Sequence, residues 1–539
     1  MASLLWRMVQ EAWMHNPWAV LKSTVLTAVV AALSLAFITF LYRLFLHPLS
    51  RVPGPWLAGC SSLWLAWHTF VGDECTAIWK LHEKYGSVLR VGPNDVDISD
   101  LEAVGPIYVE RGGFPKTINY GMFDVDGHAT LFSSLTREER LPRVRAIAPL
   151  FATAAIRKAS YDEAHDKELG GVVDRFANCL KREANRSRST GRSVNVLNLA
   201  RSMALDAVST YLFQLPYGAL MESDDVPAED AEPEQTNQMN EQHNVMSASP
   251  FVDAFVGVGA FFNMHVWLPG WDMKVMEWID RFTGTMTTDT TDDSMKKIDE
   301  YTTRLVETAV PGSGSYMSRL LAVAEKNGAE VTGSKSFWRK QVQAECKDVC
   351  FAGTDSSGMN LAMLLWQLSR HPDVYKRLAK ELADMLATDP DADATTNHYL
   401  RAVVRESLRL SWANPIRLPR AVPDKGWSFS GYLFPPGTAV GVASFQLHQD
   451  EAVFPRATAF LPDRWLQPTE QMLSSFFAFG KGGRACIGQN LGMAELHMAA
   501  ARIAQSNVLD GAKPVQEHIT ILEWFNSRVI GEEILIRWE

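Results

Sequence analysis

Residues 477–488 read Phe-Ala-Phe-Gly-Lys-Gly-Gly-Arg-Ala-Cys-Ile-Gly. Between Phe479 and Gly488 four glycines and one cysteine share ten positions, directly ahead of a stretch with helical spacing. Such glycine density lets a backbone take positive-φ turns and come close to a flat ligand. A cysteine in that setting can present its sulfur to a metal, with neighbouring amides bonding the sulfur and setting its electron density. Arg484, two residues earlier, points a cation towards an acidic group beside the metal.

Phe479, Gly482, Arg484, Cys486 and Gly488 match the pattern F-x-x-G-x-R-x-C-x-G, and in this stretch the chain resembles the cytochrome P450 family. The resemblance implies a haem b whose iron takes Cys486 as its axial thiolate. Further motifs follow the family's order. Glu406-Ser407-Leu408-Arg409 gives E-x-x-R, two ions that neighbour each other on a helix. Arg464, in Phe460-Leu461-Pro462-Asp463-Arg464-Trp465, resembles the third member of the family's structural triad. These three are expected to support the fold, not the reaction.

Ala352-Gly353-Thr354-Asp355-Ser356-Ser357 sits inside a long helical run. Glycine there costs about 1 kcal/mol relative to alanine, so something other than helix propensity placed it. The bland reading is a Gly-Ser kink in a core helix. The resemblance implies instead a local opening over the iron, with Ala352 against the haem, in which Gly353, Asp355 and Ser356 order water and deliver protons to oxygen. Ser356 stands where the family commonly has threonine; the hydroxyl is kept and the rotamer is freer.

Haem propionates need cations or other donors. The resemblance suggests Arg484 and Arg420, the latter in Arg417-Leu418-Pro419-Arg420. The family's W/H-x-x-x-R helix is similar to Arg137–Arg145, but Arg140 falls at the aromatic position and Val144 at the arginine position. Arg143 or Arg145 is left to compensate, to be a surface charge, or to be part of a reductase-docking face.

Composition agrees with a large globule: 47% hydrophobic and 21% charged residues over 539 positions. A formal charge of −10 argues against a general nucleic-acid binder. The six cysteines show no CxxC pair, which fits a reducing compartment. Cys346 and Cys350 share a helix face, as half of a metal site or as two buried thiols. Thirteen histidines include no HExxH, and His82, His128, His371 and His448 read as ordinary structural or surface residues.

Ser23–Tyr42 is free of charge and long enough to cross a bilayer as a helix. Arg7 and Lys22 nearly balance Arg43 and Arg51, so the charges do not orient it. Pro48, Pro53 and Pro55 then suggest a short stiff hinge. The expected division is an anchor over 1–46 (span about 23–42), a Pro-rich hinge over 47–56 and a catalytic domain over 57–539.

Further on, 78–85 read as a helix and 87–99 as two short strands around a Gly-Pro-Asn turn. Met221–His243 carries eight acidic and no basic residues, the composition of a surface loop. The apolar stretch 251–271 suits a membrane-dipping surface, a pocket wall or a core helix. Helices are expected from Lys335 to about Ser369, about 373–386, about 399–410 and about 489–504, with short strands after Pro415 and at the end.

The fold expected is mostly α with a small β-rich lobe, a cytochrome P450 fold preceded by one transmembrane helix. The resemblance, closest in its N-terminal details to fungal microsomal members of secondary metabolism, implies a haem-thiolate monooxygenase. It would insert one atom of O2 into a hydrophobic small molecule on the cytosolic face of the endoplasmic reticulum. The chain has no GxGxxG loop or flavin domain, which implies electrons from NADPH through a separate cytochrome P450 reductase. The alternatives are a haem-thiolate isomerase or dehydratase that does not use O2, and a non-catalytic haem-binding membrane protein. The retained Asp355-Ser356 pair argues against the former.

Overall fold

The computed structural model describes residues 17–161, 169–220, 252, 255–264, 274, 278, 289–328 and 335–539. The acidic stretch Met221–His243 lies outside them, as does about half of 251–271. Six helices carry the argument: α1 (Pro17–Leu41), α2 (Arg137–Ile147), α3 (Val196–Val208), α4 (Lys335–Arg370), α5 (His398–Leu410) and α6 (Gln489–Gln505). The helices expected in the second half of the chain are found within one to two residues of the boundaries read from periodicity.

Helix is the dominant structure, and the strands are short. A four-stranded sheet is built from β1 (Val88–Gly92), β2 (Asp95–Ile98), β3 (Arg420–Ala421) and β4 (Ala439–Gly441), in the order β1-β2-β4-β3. β2 runs parallel to β4, with Asp95 opposite Ala439, and β3 runs antiparallel to it. This pairing brings residues near 95 and near 420 together across more than 300 positions. Leu49 and Val52, from the proline-rich connector, are buried in the same cluster as Val96, Ile98 and Val440.

The connector was expected to hinge, and the structure ties it down. Arg43 donates to the Cys60 carbonyl (2.8 Å), while the buried Arg90 donates to the Arg43 carbonyl (3.0 Å). Beyond α1 the chain continues as a π-helical turn, Tyr42–Leu46. One helix among the described residues, over Thr24–Leu46, is long and apolar enough to cross a membrane.

The centre of the molecule is the crossing of α3 and α4. Twelve of the thirteen α3 residues are buried, including Arg201 and Asp206. A β-carbon at Gly353 would stand 2.4 Å from a Val208 methyl, and one at Gly358 would stand 2.8 Å from the Arg201 Cα. Close approach of α3 therefore accounts for glycine in mid-helix. α4 also runs unbroken through this turn, so the local opening expected at Gly353 is not present in the described helix.

Glu406 and Arg409 on α5 are both fully buried. The Glu406 carboxylate accepts from Arg409 Nη2 (2.8 Å) and Nε (2.9 Å), Arg464 Nε (3.1 Å), Trp465 Nε1 (2.8 Å) and the Leu461 amide (3.0 Å). Arg409 in turn donates to the carbonyls of His448, Ala457 and Ala459. A buried ion pair is tolerable only when its remaining donors and acceptors are satisfied, and here they are. The network runs on to the cysteine loop through His448, whose Nε2 accepts from the Phe477 amide (2.9 Å) while Nδ1 lies 3.1 Å from the Arg409 carbonyl. Burial and the Arg409 charge push this imidazole down to about 3, so it stays neutral, with one nitrogen donating and the other accepting.

Candidate active site

The loop that opens α6 is shaped by its glycines. Gly482 has φ +74°, and a β-carbon there would stand 1.8 Å from the Tyr108 carbonyl oxygen, so no other residue fits. Phe479 packs its ring against the main core and accepts the Cys486 amide on its carbonyl (2.9 Å). Alone of the six cysteines, Cys486 is reached by solvent. Yet protein surrounds it densely enough for burial to push its thiol up. The sulfur is thus packed by protein on most sides and open on one. The Gly488 and Gln489 amides bond to the sulfur and pull the other way, the first turn of α6 acting as an anion site. A thiol raised by burial becomes a thiolate here only with a cation against it.

Beside the loop lies a group of cations. Arg420 is buried and donates to the Tyr120 hydroxyl (2.9 Å) and the Pro419 carbonyl (3.1 Å). Lys116 faces it across an antiparallel bridge, its Nζ 3.9 Å from the centres of both the Tyr120 and Phe132 rings. Like charges on directly opposed residues destabilise a ladder. Burial, Arg420, Arg484 and Arg140 hold the Lys116 ammonium well below its usual range. Arg484 spends its donors on the carbonyls of Ser134 (2.9 Å), Leu135 (3.2 Å) and Thr136 (3.1 Å), and is pushed down to about 10 by burial and by Arg140 and Arg420. Asp348 on α4 is the acid that partly offsets Lys116; burial and Glu345 push its carboxyl up to about 7, against the Thr130 hydroxyl, Lys116 and the Phe132 amide. Besides the Arg143–Glu345 pair, four cations share the one acid Asp348, which makes a site short of negative charge, as an anchorage for two carboxylates would be. The residues present therefore fit a haem edge.

A sequence model of the cytochrome P450 family matches residues 57–513. The chain belongs to the cytochrome P450 family. It is 36% identical over 528 residues to the cytochrome P450 monooxygenase mfmF of Annulohypoxylon moriforme, covering 94% of this chain and 99% of that one. It is 27% identical to the cytochrome P450 monooxygenase aneF of Aspergillus aculeatus (85% and 88% covered) and 25% identical to a pisatin demethylase of Fusarium vanettenii (91% and 88%). The chain is thus a haem-thiolate monooxygenase of fungal type.

Two residues of this cytochrome P450 were not legible as site residues in its sequence. Lys116, in Phe114-Pro115-Lys116-Thr117, gains meaning only from the bridge to Arg420. Arg140, at the lapsed aromatic position, donates to the Leu131 carbonyl (3.2 Å) and to the Gly483 carbonyl (3.2 Å) of the cysteine loop. Of the two arginines left to compensate, Arg143 is paired with Glu345 and Arg145 is exposed.

On α4, Ala352 is exposed and Ser356 half-buried, while Asp355 is 2% exposed and turned away from them. Ser356 Oγ donates to the Ala352 carbonyl (2.8 Å). Asp355 accepts from Arg201 Nη2 (3.1 Å) and Asn526 Nδ2 (2.9 Å), and Arg201 reaches on to Glu532 (2.9 Å). Burial raises the Asp355 carboxyl while Arg201 and Asn526 lower it. Acid and hydroxyl, adjacent in sequence, are thus held in separate bonds. Thr354 does not replace the missing threonine, since it is fully buried and its hydroxyl lacks a partner. Glu495, on α6 beside Ser357, is pushed up to about 8 by burial, which the Ser357 hydroxyl only partly offsets.

An aromatic cluster adjoins the cation group. Tyr120, Phe123, Phe262, Ile416, Phe445 and Phe525 form one buried cluster, with Phe525 4.9 Å from Phe123 between ring centres. Tyr120 belongs both to this cluster and to the cation group. Elsewhere on α4, Cys346 and Cys350 are fully buried, and no group of potential metal ligands occurs among the described residues.

Proposed function

We propose that Cys486 is the axial ligand of a haem b whose propionates are held by Arg420, Arg484, Lys116 and Arg140. The observation that carries this reading is the pairing of a solvent-reached sulfur, bonded by two amides, with an adjacent cation group short of carboxylates. When bound, the haem supplies a thiolate-ligated iron that activates O2. The rest is done by side chains. The Gly488 and Gln489 amides hold the sulfur's negative charge and set how far it is donated. Ser356 is the hydroxyl that hands a proton towards the cavity, and the Ala352 carbonyl fixes its rotamer. Asp355 is the acid behind it: its carboxylate takes up a proton when its bonds to Arg201 and Asn526 loosen, and passes that proton on as the bonds re-form. The aromatic cluster excludes water and presents an apolar small molecule for hydroxylation or a related oxidation, which we place in fungal secondary metabolism.

We read α1 as a single-pass anchor in the endoplasmic reticulum, with the catalytic domain in the cytosol and electrons arriving from NADPH through a separate reductase. Reconstitution with that reductase, NADPH and a panel of apolar compounds should give substrate-dependent O2 consumption. No consumption across a broad panel would favour the O2-independent or non-catalytic readings. Cys486→Ala should lose the red-shifted Soret band of the ferrous carbonyl complex; persistence of that band would refute the ligand assignment.

A further inference from the structure

The segment that leaves α5 reads Ser411-Trp412-Ala413-Asn414-Pro415-Ile416. Trp412 takes φ +54°, a left-handed conformation that a bulky side chain seldom adopts. Strain of this kind persists only where the surroundings over-determine it. Here the Trp412 ring packs on Phe445, 4.8 Å between ring centres, and Pro415 disfavours helical backbone at Asn414. Three successive carbonyls are then held from neighbouring segments. The Ser527 amide donates to Ala413 (3.0 Å), the Ser444 hydroxyl to Asn414 (2.8 Å) and the Phe445 amide to Pro415 (3.3 Å). The backbone that carries the Asn414 side chain is therefore fixed.

Asn414 Nδ2 donates to the Phe525 carbonyl (3.1 Å) and to Asn526 Oδ1 (3.2 Å). A backbone carbonyl only accepts, so the Asn414 nitrogen and not its oxygen has to face this pair. That settles the next amide as well. Asn526 turns its oxygen to Asn414, which leaves its nitrogen for Asp355 Oδ2 (2.9 Å). Asp355 Oδ1 accepts from Arg201 Nη2 (3.1 Å), and Arg201 reaches on to Glu532, which Arg528 bonds in turn (2.6 Å). Arg201 favours the charged form of Asp355, and Glu532 opposes it. A proton on Oδ1 would meet the Arg201 guanidinium, and one on Oδ2 would meet the Asn526 nitrogen, donor against donor. Reversing Asn526 does not help, because its nitrogen would then face the Asn414 nitrogen. Reversing Asn414 sets its oxygen against the Phe525 carbonyl oxygen. The chain of amides is thus polarised in one sense, from a backbone carbonyl to the acid.

Resting on the reading of Asp355 as the acid behind Ser356, we propose that Asn414 is a positioning residue of the reaction, which locks Asn526 as a donor to Asp355 and so keeps that acid ready to give up its proton. The step is a proton transfer alone. The O–H bond of the protonated Asp355 breaks, the proton passes on towards the cavity, and the carboxylate returns to its two donors. Without the lock, Asn526 is free to offer its oxygen to the protonated acid, which then holds the proton longer.

The test uses the full-length, haem-loaded chain, each variant checked for an intact ferrous carbonyl band. Asn414→Leu removes the lock at nearly equal volume. Asn414→Asp inverts it, since a carboxyl bonds the Phe525 carbonyl only through its O–H and then offers its other oxygen to Asn526. Infrared spectra are recorded across pH, and the band of the protonated Asp355 is the one lost when Asp355→Asn is added. Its midpoint should rise by about 1–2 pH units in Asn414→Leu, the worth of a hydrogen bond to a charged group, and further in Asn414→Asp. Equal midpoints in the three proteins refute the lock. Should one variant fail to load haem, the other decides alone. With Asn526→Leu in place, Asn414→Leu should move the midpoint no further; an undiminished shift there assigns Asn414 to packing and overturns the proposal. With reductase, NADPH and an apolar compound that supports O2 consumption, Asn414→Leu should release several-fold more hydrogen peroxide per NADPH than the parent. If the infrared midpoint moves but Asp355→Asn leaves the peroxide yield at the parent value, the lock exists but Asp355 is not the acid of the reaction, and the role of Asn414 falls with it.

Discussion

Lys116 should change sign in its effect on the protein when haem is removed. In the protein alone its ammonium faces Arg420 across an antiparallel bridge, with Arg140 and Arg484 nearby. While Lys116 is charged, like charges at such close quarters repel by roughly 2 kcal/mol at an effective dielectric constant near 20. Lys116→Met removes that repulsion and the cost of burying the charge. It also removes a hydrogen bond to the Phe132 carbonyl, worth about 1 kcal/mol. The haem-free variant should therefore be more stable than the parent by about 1 kcal/mol, read as a higher urea midpoint at unchanged slope. In the loaded protein the ammonium pairs with a propionate, a charged hydrogen bond worth about 1.5–3 kcal/mol. Lys116→Met should then lose haem to excess apomyoglobin roughly 10- to 150-fold faster, while Lys116→Arg stays near the parent rate. Haem loss at the parent rate in Lys116→Met, or a lower urea midpoint of its apoprotein, would refute the assignment.

Glu406→Gln should be severe, because it leaves Arg409 buried beside a neutral amide; a loss of about 3–5 kcal/mol is expected, seen in the denaturant midpoint of the Soret band. Ser356→Thr should lower the hydrogen peroxide released per NADPH consumed, since the added methyl restricts the rotamer of the hydroxyl; an unchanged yield would count against Ser356 as the proton donor. Glu495 predicts a pH dependence. With its folded pKa raised to about 8, the folded chain binds a proton that the unfolded chain has released. Its contribution to stability is thus greatest below the ordinary carboxylate range and falls as pH climbs towards 8. Glu495→Gln should flatten that decline in urea midpoints measured from pH 5 to 8.

What the sequence made legible was local. The cysteine loop, E-x-x-R and the helix boundaries of the second half depend on spacings of ten residues or fewer, which periodicity and turn chemistry report directly. Pairings across the chain were not. Lys116 stands in a plain turn, and only the bridge to Arg420, 304 positions on, makes it part of a charge cluster. Gly353 was read for what it opens, whereas its reason is Val208 on a helix 145 positions earlier. The connector prolines pointed to a stiff hinge and said nothing of Arg90, whose side chain ties the chain ahead of them to the sheet.

Phe525 and Asn526 have a consequence for reshaping the substrate range. The first is a ring of the aromatic cluster and the second bonds the Asp355 carboxylate, so on the proposed function pocket shape and proton supply hang on consecutive residues of one segment. Enlarging the pocket at Phe525 would shift the backbone that carries the Asn526 amide. A variant selected for bulkier compounds would then pay in wasted reducing equivalents, and coupling efficiency has to be screened alongside turnover. Ile416 and Phe445 belong to the same cluster on other stretches of chain, and they are the positions from which to widen the pocket without disturbing the acid.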